Sequence, residues 1–524
     1  MKSNNLRIIL FAFIVAVMPF WTYSCIDDLS TSPIDQREVT SDLVYDSPEN
    51  FRKVLAKLYA GLAVTGQEGP AGNPDIQGID EGFSSYLRQY WVHQEIPTDE
   101  AVVGWADPGL PDFNTQSWGP GNDFVMAMYS RIFYNITLAN EFIRNARDED
   151  DEQIQRYHAE ARFLRALSYW HALDLFGGNV PFVTEEDPIG AFLPESIGEE
   201  ALFDFIESEL LAIEGEMVPP RENEYGRADR AAAWTVLSKL YLNAEVYIGQ
   251  PMWSDARMYA ERVIDEGGYS LNSSYEQLFR SNNDEAEGVI FAVPFHQSNT
   301  QTFGGTNFIV HAAVGGSMSA IEFGIGTGWE GHRVTPQFVD KFDEENDGRA
   351  LFHTDGQSRE ITQLTDFNEG YAVTKWRNVP YVEDGEVDPV ASEYVDVDFP
   401  MFRLADVYLI YAEATVRGGG GSMARAVELV NEIRERAYGD NTGNISQGEL
   451  TEGFILDERA RELYWEGHRR TDLVRYDYFT TSDYVWAWKG GDQEGSATSP
   501  HLNLYPIPTS DINANPNLTQ NPGY

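Results

Sequence analysis

Residues 232–244, AAWTVLSKLYLNA, place Trp234, Leu237 and Tyr241 at the W-x2-L-x3-Y spacing that opens a tetratricopeptide unit. Positions three and four apart share one face of a helix, so these bulky groups form a single stripe that needs a partner helix. Residues 256–263 supply that partner, with an A-x3-A spacing on its contact face, after a turn lengthened by Pro251-Met252-Trp253. Further along, 404–416, a Gly-rich turn at 418–421, and 423–437 with Ala426, Val430 and Ile433 make a second such pair. Upstream, 151–176 presents small residues beside Phe163, Leu167 and Tyr169, and 124–146 repeats apolar groups from Met128 through Ile132 and Ile136 to Ile143. Ser47-Pro48-Glu49-Asn50 starts an earlier amphipathic helix carrying Val54, Leu58 and Leu62. The expected fold is mainly α, a tetratricopeptide-like helical scaffold whose units are unevenly spaced.

The helical period fades between residues 271 and 399, where Gly, Asn, Asp and aromatic residues take over. Short strands are expected at 288–294 and 371–378. An irregular insertion of this length in a helical scaffold is where binding surfaces are usually built. It carries Phe303, Phe308 and Trp329.

A second irregular stretch, residues 96–120 (IPTDEAVVGWADPGLPDFNTQSWGP), holds Trp105 and Trp118 among prolines, glycines and acids that forbid a regular element. Tryptophans in such a loop are either plugs that tuck back onto the core or platforms that present a face. Little bulk lies beside Trp105, with Gly104 before it and Ala106-Asp107-Pro108 after it. An exposed indole ringed by carboxylates and amides suits a sugar, whose C–H face stacks on the ring while its hydroxyls need polar partners. Trp118, next to Gly119-Pro120 at the loop's exit, is expected to anchor the loop instead.

The 524 residues include 84 acids against 37 Lys and Arg, a formal charge of −47. Nucleic acid and bare anionic lipid are excluded as partners, because both require a basic surface. Lys2 and Arg7 followed by the apolar run 8–21 form an export signal too short to anchor a helix across a bilayer. Cys25 is the single cysteine, so it serves neither a disulfide nor a thiolate metal site. The segment resembles a bacterial lipoprotein signal, with residues 1–24 removed and Cys25 lipidated. Ile26-Asp27-Asp28 resembles the acidic export signal by which Bacteroidetes lipoproteins reach the outer face of the outer membrane. Residues 25–46 read as an extended tether and 47–524 as one domain. Within it, 47–270 and 400–480 form the scaffold, 271–399 the binding insertion and 481–524 a closing segment.

In order along the chain stand Cys25, Glu160-Ala161-Arg162-Phe163-Leu164-Arg165-Ala166, Asp174-Leu175-Phe176-Gly177-Gly178, and Tyr225-Gly226-Arg227-Ala228. Then follow Phe402-Arg403-Leu404-Ala405-Asp406, Glu458-Arg459-Ala460-Arg461-Glu462-Leu463, Glu466-Gly467-His468-Arg469-Arg470, Tyr505-Pro506-Ile507-Pro508 and the tail 515–524. This series resembles the SusD/RagB family of outer-membrane nutrient-binding lipoproteins over nearly the whole length. The resemblance implies about four tetratricopeptide helix pairs, a less regular glycan-binding face, and a SusC-like TonB-dependent transporter as partner. The family's starch-binding member is the most alike around residues 96–120. Its pattern implies ligand-binding roles for Trp105, Trp329, Arg88 and Asp80, with Asp107 beside them. Two correspondences fail: no clear Tyr completes the pattern, Phe303 being a weak substitute for it, and Pro108 stands where an amide is expected. A glucan oligosaccharide is therefore the expected ligand, starch favoured and a laminarin-type β-glucan next. The alternative is a structural lid on a transporter for peptide or another nutrient. Arg162, Arg165, Arg459, Arg469 and Arg470 are expected to pair with acids within and between helices.

No catalytic residues, cofactor or metal are expected. A glycosidase needs two carboxylates across a sugar bond, and the adjacent Asp99 and Glu100 point differently. Residues 326–331 match G-x-G-x-x-G, but Pro336 and the lack of a βαβ unit argue instead for glycines that shape a loop and expose Trp329. Asp343, Glu345, Asp347 and Gly348 look like the start of a calcium loop, yet Thr354 occupies the position of its closing Glu.

Overall fold

A computed structural model describes residues 44–524 except 384 and 386. The signal, Cys25 and the tether as far as residue 43 lie outside the described residues. By its internal contacts the chain divides into residues 1–51 and a unit from Arg52 to Tyr524, which carries every element below apart from the first residues of α1.

In chain order the elements are α1 (Pro48–Ala60), α2 (Tyr86–Glu95), β1 (Val102–Val103), α3 (Pro111–Thr115), α4 (Asp123–Ala146), α5 (Glu152–Phe176), α6 (Glu199–Ile213) and α7 (Arg230–Leu242). They continue with α8 (Ala244–Ile248), α9 (Trp253–Glu266), β2 (Val289–Val293), α10 (Gly305–Ala312), β3 (His332–Arg333), α11 (Pro336–Val339), β4 (Phe352–His353) and β5 (Ala372–Val373). The last are β6 (Phe399–Arg403), α12 (Leu404–Val416), α13 (Met423–Tyr438), α14 (Glu452–Leu463), α15 (Arg469–Arg475) and α16 (Thr509–Ala514). The protein is thus mainly helical, as the periodicity predicts.

Trp234, Leu237 and Tyr241 are all buried on α7. Tyr241 stacks on Tyr259 of α9 at 5.7 Å, and the Arg262 guanidinium lies over the Trp234 ring at 4.2 Å. Ala256 and Ala260, both buried, bring the α9 backbone close enough for these contacts. Next, α9 packs on α12 and α12 on α13, so the two helix pairs seen in the sequence are stacked neighbours. The α4–α5 pair precedes them, with α6 against α5. Each boundary has a local cause: the Asn122 side chain accepts from the amides of Phe124 and Val125 to start α4, and Asp151 does the same for Gln153 and Ile154 at α5.

Two expectations need correction. The stretch 96–120, expected to hold no regular element, contains β1 and the short helix α3, which starts on Pro111. Helix α2 carries no amphipathic stripe, because polar Gln89, His93 and Gln94 are buried alongside Leu87 and Trp91. A helix buried all round has no polar face to reveal it. The strand expected at 371–378 shrinks to β5, since Lys375 turns inward to the Glu466 carboxylate at 2.6 Å.

The insertion leaves and rejoins the scaffold at one place, because β2 pairs antiparallel with β6 from Val289 opposite Arg403 to Val293 opposite Phe399. Buried ion pairs fix it there. Arg349 spans Asp347, Glu458 at 2.8 Å and Glu462 at 3.2 Å, while Arg403 grips both Glu462 and Glu466. Burial alone would raise the Glu462 carboxyl, but Arg436, Arg403 and Arg349 outweigh it and hold it at about 2. The motif arginines are likewise internal: Arg162 and Arg165 meet Glu209, Arg459 meets Asp406 and Asp472, Arg469 meets Asp99, and Arg470 meets Asp174.

Candidate functional site

Only two residues of ladder are needed to bring the two candidate tryptophans together. β1 pairs antiparallel with β3, Val102 opposite Arg333 and Val103 opposite His332. The Gly104 amide extends the pairing by donating to the Gly331 carbonyl at 2.9 Å. Trp105, two residues beyond β1, therefore meets Trp329, three residues before β3. Their ring centroids lie 6.4 Å apart at 50°, and the Trp105 indole N–H donates to the Trp329 carbonyl at 2.9 Å. Both rings are half-buried. That bond orients Trp105 and occupies its one donor, which leaves the ring face as what it offers a ligand.

The underside of each ring is supported. His332 and Phe308 pack against Trp105 at 5.3 and 6.0 Å, and His311 stacks on Trp329 at 4.7 Å and 26°. Burial, with Arg88 and Arg333 nearby, holds the His332 imidazole well below its usual range, so it is a neutral aromatic support. Gly331 is required by contact: a Cβ there would meet Cζ2 of Trp105 at 2.5 Å. The G-x-G-x-x-G run is thus a loop shaped around Trp105 and Trp329.

Arg88 projects from α2 into the same place. Its Nη1 donates to the carbonyls of Gly82 and Phe303 at 2.9 and 3.0 Å, and its guanidinium lies 4.3 Å from the Phe308 ring and 6.0 Å from Trp105. Burial pulls it down to about 10 against the opposing fields of Asp107 and Asp80, so it remains a cation at neutral pH. Asp80 and Asp107 are exposed; Asp80 accepts the Gly82 amide at 2.8 Å, and Asp107 accepts the Leu110 amide through its carbonyl at 3.0 Å. Phe303, half-buried, meets Trp329 edge to face at 6.5 Å. Trp105, Trp329, Phe303 and Arg88 are thus brought together, and Asp80 and Asp107 lie close enough for their charges to act on Arg88.

Other candidates fall away from this aromatic ridge. Phe308 is 1% exposed and supports the ridge from below. Asp99 and Glu100 are buried, so neither meets a ligand hydroxyl: Asp99 is held by Arg469 at 2.7 and 2.9 Å and by the Tyr484 hydroxyl at 2.6 Å. Asp347 is taken by Arg349 at 2.7 and 2.9 Å, which removes it from any calcium loop. Among the described residues no group of His, Cys, Asp and Glu is placed to hold a metal ion. Trp118 is the anchor its position suggested, 3% exposed with its N–H donating to the Tyr524 hydroxyl at 2.8 Å. The sequence reading missed the support from His311 and His332, which carry no local pattern, and a further ring, Tyr394, 6.2 Å from Phe303.

Fold and ridge together define a class: a helical-repeat protein that presents aromatic faces from its irregular segments. Residues 357–524 match the profile of the SusD family. The chain is 36% identical to the starch-binding protein SusD of Bacteroides thetaiotaomicron, over 100% of both chains. It is 25% identical to the SusD-like protein P25 of Formosa agariphila, over 99% of this chain and 98% of that one. Among solved structures, surface glycan-binding protein A from Bacteroides thetaiotaomicron in complex with laminarihexaose has the same fold, with a TM-score of 0.69 at 19% identity over 90% of this chain and 99% of that one. A SusD superfamily protein from Bacteroides vulgatus gives 0.70 at 19% identity, over 91% and 99%. The chain belongs to the SusD family.

Proposed function

We propose that this protein is a lipoprotein of the cell surface, anchored in the outer membrane through Cys25, that captures glucan oligosaccharides and passes them to a SusC-like TonB-dependent transporter without altering them. The observation that carries this reading is the ridge of Trp105 and Trp329, two half-exposed indoles held side by side with the Arg88 cation next to them. Sugar C–H faces stack on the rings, while Arg88, Asp80 and Asp107 meet hydroxyls. Starch is the favoured glucan, in keeping with the name of the 36% identical relative, and a laminarin-type β-glucan is next. The acids Asp99 and Glu100 are committed to internal partners, which supports a binding role rather than glycoside hydrolysis. No described helix is long and apolar enough to cross a membrane, so the proposed attachment rests on the lipid at Cys25.

Each stacked face hides roughly 50 Å² of apolar surface and contributes about 1 kcal/mol. A few such contacts, after the cost of association, give affinities on the order of millimolar to micromolar. Weak capture suits a protein that must release its ligand to a transporter. Affinity electrophoresis through starch, laminarin, levan and a peptide-containing gel tests the proposal. Retardation by starch is expected; retardation by laminarin alone moves the ligand to β-glucan, and migration unaffected by any glycan overturns glycan capture.

A further inference from the structure

We propose that Tyr394 extends the aromatic ridge into an additional subsite, reached only by glucan chains long enough to pass Trp329 and Phe303, so that the site favours long chains over short ones. The inference rests on the glucan-binding reading above.

Four rings follow one another at nearly equal steps. Trp105 lies 6.4 Å from Trp329, Trp329 lies 6.5 Å from Phe303, and Phe303 lies 6.2 Å from Tyr394 with the two rings inclined at 35°. Of these rings Tyr394 makes its ring contact with Phe303 and, like the other three, is half-buried. A core ring would be closed off from solvent; this one keeps part of its surface open beside an established row.

Its backbone is held as firmly as that of the tryptophans. Residues 392–394 run beside the segment that leads into Trp329: the Ser392 amide donates to the Gly324 carbonyl at 3.1 Å, and the Gly326 amide returns a bond to the Ser392 carbonyl at 3.3 Å. The Asn378 side chain donates to the Ser392 hydroxyl at 3.0 Å and accepts the Asp396 amide at 2.8 Å, while that hydroxyl donates to the Tyr394 carbonyl. Gly324, at φ +69°, lets these segments approach, because a Cβ there would collide with the Asn378 carbonyl. An aromatic face on so fixed a backbone loses little freedom when a ligand lies on it. Three ring steps separate it from Trp105. A short oligosaccharide seated on Trp105 and Trp329 leaves Tyr394 uncovered, whereas a longer one gains its face.

Calorimetric titration of the full chain with trimers and heptamers of both α-1,4- and β-1,3-linked glucose tests this. In the series that the unaltered chain binds, Tyr394→Ala should weaken the heptamer about fivefold, the loss of one stacked face, and leave the trimer unchanged. Tyr394→Phe should restore most of the heptamer affinity. Equal losses at both lengths, no loss with the heptamer, or a fall in thermal midpoint typical of a core ring would overturn the proposal while leaving glucan capture intact. If the unaltered chain binds neither series, the glucan reading fails, and this inference fails with it.

Discussion

The two ends of the loop between β1 and α4 each carry a tryptophan, and the surroundings of the two differ. Trp118 sits among Phe113, Phe479 and Tyr505 with centroid distances of 4.6–6.5 Å, and its N–H is satisfied by a tyrosine hydroxyl from the end of the chain. Trp105 is half-buried, with Phe308, His332 and Trp329 of the insertion and Arg88 of α2 around its ring, and its N–H is satisfied by the backbone of the other ridge tryptophan. A loop tryptophan fully enclosed by large side chains contributes to folding; one that stays partly open to solvent is available to a ligand.

The largest effect expected from breaking this comparison is at the buried end. Trp118→Ala should lower unfolding stability by about 3–5 kcal/mol, read as a fall in denaturant midpoint. The fraction that remains folded should bind glucan with unchanged affinity. A loss of binding without a loss of stability would place Trp118 in the site and erase the distinction.

A second effect concerns histidines buried in the core. His93 and His171 are pulled to about 3 by burial. The folded chain therefore holds fewer protons than the unfolded chain between about pH 3 and 6.5. Stability is present above this window and is lost as pH falls through it, by up to about 1.4 kcal/mol per unit for each group. Glu462 and Asp472, held at about 2, add to the loss below the usual carboxylate range. Glu95 and Asp398, raised by burial to about 7 and about 6, work the other way over part of this range. The direct check is therefore NMR titration of the imidazoles: both should stay neutral in the folded chain from pH 7 to 4, and protonation of either near pH 6 would contradict their neutral burial.

What could be seen in the sequence follows from range. The α7–α9 and α12–α13 pairs were legible because Trp234, Leu237 and Tyr241, or Ala426, Val430 and Ile433, repeat at helical spacing within a few residues. Helix α2 was not, because its polar side chains are buried too and no stripe survives. Trp105 and Trp329 could be named from composition and resemblance, but their adjacency depends on a ladder of two residues joining positions more than two hundred apart in sequence. The supporting histidines and Tyr394 are also set by such distant contacts. The partners of Asp99 and Glu100 are hidden for the same reason: in sequence these acids stand close to the loop tryptophan with no cation beside them, whereas in space Arg469 comes from a distant helix to cover Asp99.

A smaller effect sharpens the open end. Gly331→Ala places a methyl group against the Trp105 ring, which is tethered at its N–H and cannot simply swing aside. Glucan affinity should drop about threefold, less than the loss of a whole stacked face. Unchanged affinity would mean that the position of the Trp105 ring does not matter to the ligand.

The most direct measurement is calorimetric titration of the Trp105→Ala and Trp329→Ala chains with a long glucan, paired with thermal unfolding of each. The account predicts a loss of about fivefold in affinity for each variant, a larger loss when both are combined, and thermal midpoints close to that of the unaltered chain. Unaltered affinity, or a collapse in thermal midpoint like that expected for Trp118→Ala, would contradict the claim that these two rings form the binding face.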